Sequence, residues 1–201
     1  MASVLRTEPA VEPDGERELV CRARGGDRDA AAELFARHEL VAWRVCRHLL
    51  PAGEDVEAAV QETLLRALRG LPGLTGKGAF AGWIAAIAVN LCRDRLRRRR
   101  MVPFLPLEGG ANEDDAGPVA VLPAPGPDPE RVSMARQAVA MVRREVSRLP
   151  HRQREVFALR FFVGLELEAI AEALAVDVGT VKTHLHRAVH RVRRVAEEAL
   201  P

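Results

Sequence analysis

Three groups of side chains in this sequence have types and spacings that could do chemistry. His184, His186 and His190 lie close together, and residues 186 and 190 are one helical turn apart, the separation at which two imidazoles can share a metal ion. No cysteine or acid in that stretch completes a tetrahedral set, so a metal is not expected; on a helix facing nucleic acid such histidines would meet phosphate or base edges. Cys21, Cys46 and Cys92 are too widely spaced for a CxxC metal motif and are expected as reduced, buried thiols. Arg93, Arg95 and the run Arg97 to Arg100 end an apolar helical segment, where cations are favoured by the helix dipole and can contact phosphates. Enzymatic chemistry finds no support: there is no nucleophile elbow, no GxxxxGK[ST] loop and no carboxylate pair in a polar loop. The expectation is a protein that is not an enzyme, with no catalytic residues, no cofactor and no small-molecule substrate.

The elements that must position these groups are helices. With 201 residues, the chain has room for one or two small domains but not for a large α/β enzyme. Hydrophobic residues make up 48% and charged residues 29%, so the chain should fold, while 4% aromatics and no tyrosine argue against a β-sandwich or barrel. No apolar run approaches the roughly 18 residues of a membrane span, and the first residues lack a signal-peptide core, so a cytoplasmic protein is expected. The net charge of +2 conceals an uneven distribution. Basic zones at 93–100 and 134–201 flank an acidic insert at 101–133 that contains Glu113, Asp114 and Asp115. That pattern points to polyanion contact at two separate places with the insert kept off the polyanion.

Residues 1–17, with Pro9 and Pro13, read as a frayed tail. Apolar positions at three- and four-residue steps predict two helices between Glu18 and Leu50, broken at Gly25-Gly26-Asp27. A third helix follows Glu54 and Asp55, with Val56, Val60, Leu64, Ala67, Leu68 and Leu71 as its apolar stripe. A fourth runs from about Phe80 to Arg100, with Trp83, Ile84, Ile87 and Leu91 inward. Seven of the thirteen prolines then fall between Met101 and Pro129, which blocks helix and makes 101–129 a linker. Beyond it, helices are expected at about 130–148, 151–163, 166–174 and 178–199.

The last two of these form a helix-turn-helix pattern. Leu167, Ile170, Ala171 and Leu174 make one short amphipathic helix, Ala175-Val176 turn the chain, and Asp177 is placed to cap the next. Val181, Leu185, Ala188, Val189 and Val192 then share a buried face. Lys182, Thr183, His186, Arg187 and His190 project from the other, with Thr180 in the first turn. A helix of this kind enters the major groove and reads base edges near its N-terminus. Arg191, Arg193 and Arg194 come later and are expected to meet phosphate or solvent.

Three segments occur in order: VEAAVQETLLRALRGL (56–71), AFAGWIAAIAVNLCRDRLRRRR (79–100) and LPHRQREVFALRFFVGLELEAIAEALAVDVGTVKTHLHRA (149–188), the third preceded by the Pro/Gly tether. Together they resemble bacterial RNA polymerase sigma factors of the extracytoplasmic-function group, over roughly residues 18–100 and 130–198. The resemblance implies an all-α fold of two modules: a four-helix sigma domain two at 18–100 and a helix-turn-helix sigma domain four at 130–199, joined by the flexible linker. It implies a transcription initiation factor whose first module binds core RNA polymerase and melts the promoter −10 element, and whose second reads the −35 element as duplex. Core RNA polymerase and promoter DNA are the implied partners, an anti-sigma factor is allowed as a further one, and the location is cytoplasmic and nucleoid-associated.

By position, Asp55, Glu57, Gln61, Glu62 and Arg66 are the implied polymerase contacts. Lys77, Phe80, Asn90, Arg93, Arg97 and Arg98 are the implied −10 contacts, and Thr180, Lys182, Thr183, His186, Arg187 and His190 the −35 contacts. Trp83 and Ile87 read as core. The chain departs from the family pattern at Ala58, where an acid is usual, at Ala86, where a basic residue is usual, and at Ala175, where glycine is usual. The alternative is a stand-alone helix-turn-helix transcriptional regulator, which leaves the helix from Trp83 to Arg100 without a role; copurification with core polymerase separates the two.

Overall fold

The structure, a computed structural model, describes residues 13–74, 79–101 and 129–199. Among these residues every regular element is a helix: α1 (Pro13–Arg24), α2 (Arg28–Leu49), α3 (Val56–Gly70) with a 3-10 turn at Leu71–Gly73, α4 (Phe80–Met101), α5 (Pro129–Arg148), α6 (His151–Ala158) continuing into a π turn at Leu159–Val163, α7 (Leu167–Leu174) and α8 (Val178–Ala199). The fold is all-α, as the apolar spacing predicts.

The breaks between helices have local causes. Gly26 takes φ +94° after α1, a conformation open to glycine at little cost. Asp27 then caps α2, its carboxylate accepting from the backbone N–H groups of Asp29 and Ala30 at 3.0 Å each. Asp55 caps α3 in the same way, accepting from Ala58 N–H at 2.8 Å. Helix α1 begins at Pro13, earlier than the tail expected for residues 1–17, because a proline in the first turn lacks only an N–H that has no helical partner. Glu16 also anchors this turn. Its Oε1 accepts from the Phe80 N–H at 3.3 Å, and its Oε2 lies 3.3 Å from His38 Nε2.

Helix α2 is the spine of the N-terminal module and packs against α1, α3 and α4. Leu34, Val45 and Leu49 of α2 meet Ala59 and Ala67 of α3 and Ile84, Ala85, Ala88 and Val89 of α4 in one fully buried cluster. The alanines let these helix axes approach closely. Thr63 is buried among them with its hydroxyl donating to the Ala59 carbonyl at 2.8 Å. Two expectations are corrected here. Cys46 and Cys92 are buried, their sulfurs 4.0 Å apart, but Cys21 is exposed, since α1 buries Leu19 and Ala23 on its other side. Leu68 is 49% exposed although the spacing puts it in the buried stripe; the contact is taken by Thr63 and Ala67 instead.

In the C-terminal module α8 packs on α5, α6 and α7. Val146, Leu149, Phe157, Ala188 and Val192 form a second buried cluster. Arg191, expected to meet phosphate or solvent, instead donates to Glu145 of α5 at 3.0 Å, and so ties α8 to α5. The two modules do not stand apart. Val156, Leu159, Ile170 and Leu174 belong to the same buried cluster as α2 and α4, and His48 of α2 stacks on Phe162 of the π turn with ring centres 3.5 Å apart and planes 8° from parallel. The linker residues 102–128, including the acids at 113–115, lie outside the described residues.

Ala175, at the turn of the helix-turn-helix, has φ +53° and ψ +52°. A left-handed L-residue costs about 1–2 kcal/mol, and glycine's greater freedom in the unfolded chain gives back about 0.4–1 kcal/mol of the relief. Ala175→Gly should therefore stabilise the protein by about 0.5–1 kcal/mol in urea denaturation, where an unchanged midpoint would contradict the strain.

Burial and the nearby Arg47, Arg143 and Arg44 push the His48 imidazole down to about 4. The unfolded chain, near 6.5, binds a proton that the folded protein refuses, so this contribution is intact above pH 6.5 and is lost as pH falls toward 4. His38, lowered by burial beside Glu16, acts in the same direction. His48→Phe, which keeps the stacking plane, should flatten but not abolish the fall in thermal stability between pH 7 and 4.5; an unchanged slope would mean that His48 does not titrate there.

Candidate nucleic-acid and polymerase interfaces

The outward face of α8 is built as the spacing predicts. Val181, Ala188 and Val192 are buried and Leu185 and Val189 half-buried, while Lys182, Thr183, His186, Arg187 and His190 are exposed. Thr180 is half-buried at the edge of this face. The Thr183 hydroxyl donates back to the Gly179 carbonyl at 2.9 Å, which leaves its oxygen able to accept from a ligand. Among the described residues Arg187 has no ion-pair partner, so its guanidinium is available. Arg193 pairs with Glu197 on the same helix at 2.8 Å, an exposed contact worth little. His186 and His190 have ring centres 6.5 Å apart, and His184 points elsewhere with a buried Nδ1. Among the described residues no three His, Cys, Asp or Glu side chains are grouped to hold a metal.

Along α4 the predicted residues separate into different roles. Asn90, Arg97 and Arg98 are exposed. Arg97 donates to Asp94 at 3.1 Å across an open face, and Asn90 Oδ1 accepts from Arg93 at 3.2 Å. Phe80 is a correction: it is 2% exposed and sits edge-on against Phe35 and His38, with ring centres 5.9 and 5.0 Å away, so it is core rather than a strand contact. Trp83 and Ile87, expected as core, are half-buried and line a cavity of about 510 Å³ together with Arg66, Gly70 and Ala86. Its opposite wall is α7, through Ala169, Glu172 and Ala173. Lys77 lies outside the described residues.

On α3, Glu57 and Gln61 are exposed, while Asp55 is engaged as the helix cap. Glu62 and Arg66 bind each other at 2.5 Å and reach across to α4: Arg95 donates to Glu62 at 3.1 Å, and Arg66 lies 3.8 Å from Asp94. Burial would raise the Glu62 carboxyl, but the two arginines outweigh it and hold it below its ordinary range. Missed from sequence was the pair Leu65 and Leu68, 52% and 49% exposed, which continue the stripe of Glu57 and Gln61 at steps of four, four and three residues. The signal was present, because Leu64 and Leu65 are adjacent and one helix cannot bury both on one narrow face.

Also missed was Glu155 of α6. It has no exposure, and three side chains converge on it: Arg93 of α4 by two bonds at 2.6 and 2.7 Å, His151 at 2.8 Å and Arg152 at 3.2 Å. Burial acts to raise this carboxyl, yet the hydrogen bonds and charges of Arg93 and His151 prevail and hold it at about 2. Arg93, predicted as a strand contact, is thus committed to the other module in this arrangement.

The chain matches the family models for Sigma-70 region 2 over residues 34–101 and Sigma-70 region 4 over residues 140–192. It is 34% identical over 180 residues to the ECF RNA polymerase sigma factor SigM of Mycobacterium tuberculosis, covering 90% of this chain and 84% of that protein. To the RNA polymerase sigma factor CnrH of Cupriavidus metallidurans it is 30% identical over 175 residues, covering 87% and 91%. Among solved structures, that of CnrH with the cytosolic domain of CnrY shares the fold, with TM-score 0.66 and 24% identity over 92% of this chain and 99% of that one. The sigma factor RpoE of Bartonella quintana, solved with the anti-sigma factor NepR, aligns at TM-score 0.55 and 20% identity over 92% and 98%. With both sigma modules present in order and relatives aligned over most of their length, the chain belongs to the extracytoplasmic-function RNA polymerase sigma factors, transcription initiation factors that direct polymerase to promoters.

Proposed function

We propose that the exposed face of α8 reads the −35 element in duplex form through Lys182, Thr183, His186 and Arg187, with His190 and Thr180 at its edges. Asn90, Arg97, Arg98 and, once released, Arg93 receive the melted −10 strand along α4. The stripe Glu57, Gln61, Leu65 and Leu68 on α3 meets core polymerase, with apolar contact from the two leucines and polar contact from the rest. The observation that carries this reading is the clean division of α8. A buried valine and alanine stripe holds the helix in place while Lys182 and Arg187, both exposed, face outward within its first turns, where a major-groove helix carries its base contacts. The protein acts without a catalytic site of its own, in the cytoplasm and at the nucleoid. An anti-sigma factor is part of the proposal, supported by the relatives solved with such partners.

Runoff transcription with core polymerase on a genomic fragment library should yield promoter-specific transcripts. Tight DNA binding without any transcript would replace this reading with a stand-alone regulator. On the promoter so found, Arg187→Ala should weaken duplex binding by about 1–3 kcal/mol on the −35 sequence and by less on a scrambled duplex. Arg193→Ala should lower both evenly and reduce the salt slope. Equal losses on the two duplexes for Arg187→Ala would show that it does not read bases.

A further inference from the structure

Neither the DNA-reading nor the polymerase-binding face uses a cysteine, yet two of the three cysteines meet inside the N-terminal module. Cys46 of α2 and Cys92 of α4 have no solvent exposure, and their sulfurs lie 4.0 Å apart. Both are free thiols. Ala42 and Ala88, buried one turn before each cysteine and so on the same helix faces, are small enough to let α2 and α4 approach closely there. Bonded sulfurs lie about 2.05 Å apart, so this pair has to close by about 2 Å, a movement that rotation about the two Cα–Cβ bonds can supply. We propose that Cys46 and Cys92 form an oxidisable dithiol, which a small hydroperoxide converts to a disulfide joining α2 to α4 in their packed positions.

The reaction balances with one molecule of hydrogen peroxide per pair. The Cys46 sulfur attacks one peroxide oxygen: an S–O bond forms, the O–O bond breaks, and the thiol proton leaves with the other oxygen as water. The Cys92 sulfur then attacks the Cys46 sulfenic acid. The S–S bond forms, the S–O bond breaks, and a second water carries off the hydroxyl and the Cys92 proton. Two electrons pass from the sulfur pair to the peroxide. The order of attack follows from the surroundings. Contact with Cys92, and further with Thr63 and the charge of Arg95, lowers the Cys46 thiol against its burial, whereas contact with Cys46 and burial keep Cys92 protonated. Full burial excludes bulky and charged oxidants and slows the first step. It also holds the sulfenic acid beside a thiol, where a disulfide forms before a second peroxide arrives.

The full-length chain supplies the test, with exposed Cys21 changed to alanine so that only the buried pair remains. The folded protein is kept in excess hydrogen peroxide, quenched, and denatured with an alkylating agent. Mass spectrometry should show a chain about 2 Da lighter that takes up no alkyl group, with the Cys46 peptide linked to the Cys92 peptide. A thiol reductant should restore both thiols. The oxidised chain should melt about 5 °C or more above the reduced one, because the bond joins residues 46 positions apart and restricts the unfolded state. Two thiols that persist through prolonged exposure, under conditions that oxidise Cys21 of the parent chain, would overturn the site. Sulfinic or sulfonic acid on one cysteine in place of the linked pair would overturn it as well. An equal or lower melting temperature for the linked chain would show that the bond does not fit between the packed helices.

Discussion

A carboxylate with no solvent exposure remains an anion in a helical core only if cations come to it. Glu155 meets that condition from two sides. Arg152 lies on its own helix and travels with it, whereas Arg93 arrives from α4 only when the two modules dock. The apolar contacts around it, in which Val156, Leu159 and Ile170 extend the cluster of α2 and α4, are non-directional and would tolerate sliding. The bidentate guanidinium does not tolerate it, because both bonds require one orientation of α4 against α6. Desolvating both ions offsets most of their attraction, so the pair contributes more to choosing this arrangement than to holding it. The placement of α7 over the cavity, and of Gly82 against Ala169, follows from that choice.

Much of the fold is legible in the residues because a helix with one buried side repeats its apolar positions every three or four residues. The outward face of α8 reads correctly for this reason, and so do the breaks at Gly26-Asp27 and before Asp55, where cap chemistry is local. Helix α4 is different. Ile84, Ala85, Ala88, Val89, Leu91 and Cys92 are all fully buried, since α2 and α3 cover one side and α7 another. With more than one buried side, spacing cannot sort its aromatic residues, and Phe80 falls to the core while Trp83 lines the cavity. The partners Arg93 and Glu155 are 62 residues apart, and no pattern within a helix announces such a contact.

The arginines show the same limit in electrostatic form. A basic run marks where polyanion contact is chemically possible, but which members are available depends on where acids fold. Arg191 is taken by Glu145, Arg95 by Glu62 and Arg93 by Glu155, whereas Arg187 and Arg98 have no ion-pair partner among the described residues. Availability is therefore a property of the tertiary structure. The partly buried pairs lock helices to one another, and the residues left over lie on outward faces.

That partition separates the two proposed recognition events in order. Duplex readout by α8 requires no rearrangement, because its outward residues are exposed while the modules are docked. Strand capture by α4 requires α7 to leave the cavity and Arg93 to exchange the Glu155 carboxylate for another anion. A phosphate is a suitable replacement, since a guanidinium binds either oxyanion through two parallel bonds. The exchange is then between two charge-assisted contacts of similar kind, so its direction is set by what else accompanies it: the apolar surface uncovered between the modules on one side, the contacts with polymerase and DNA on the other. If α4 is the proposed −10 surface, contacts supplied by polymerase and DNA together would favour that exchange more than the duplex alone.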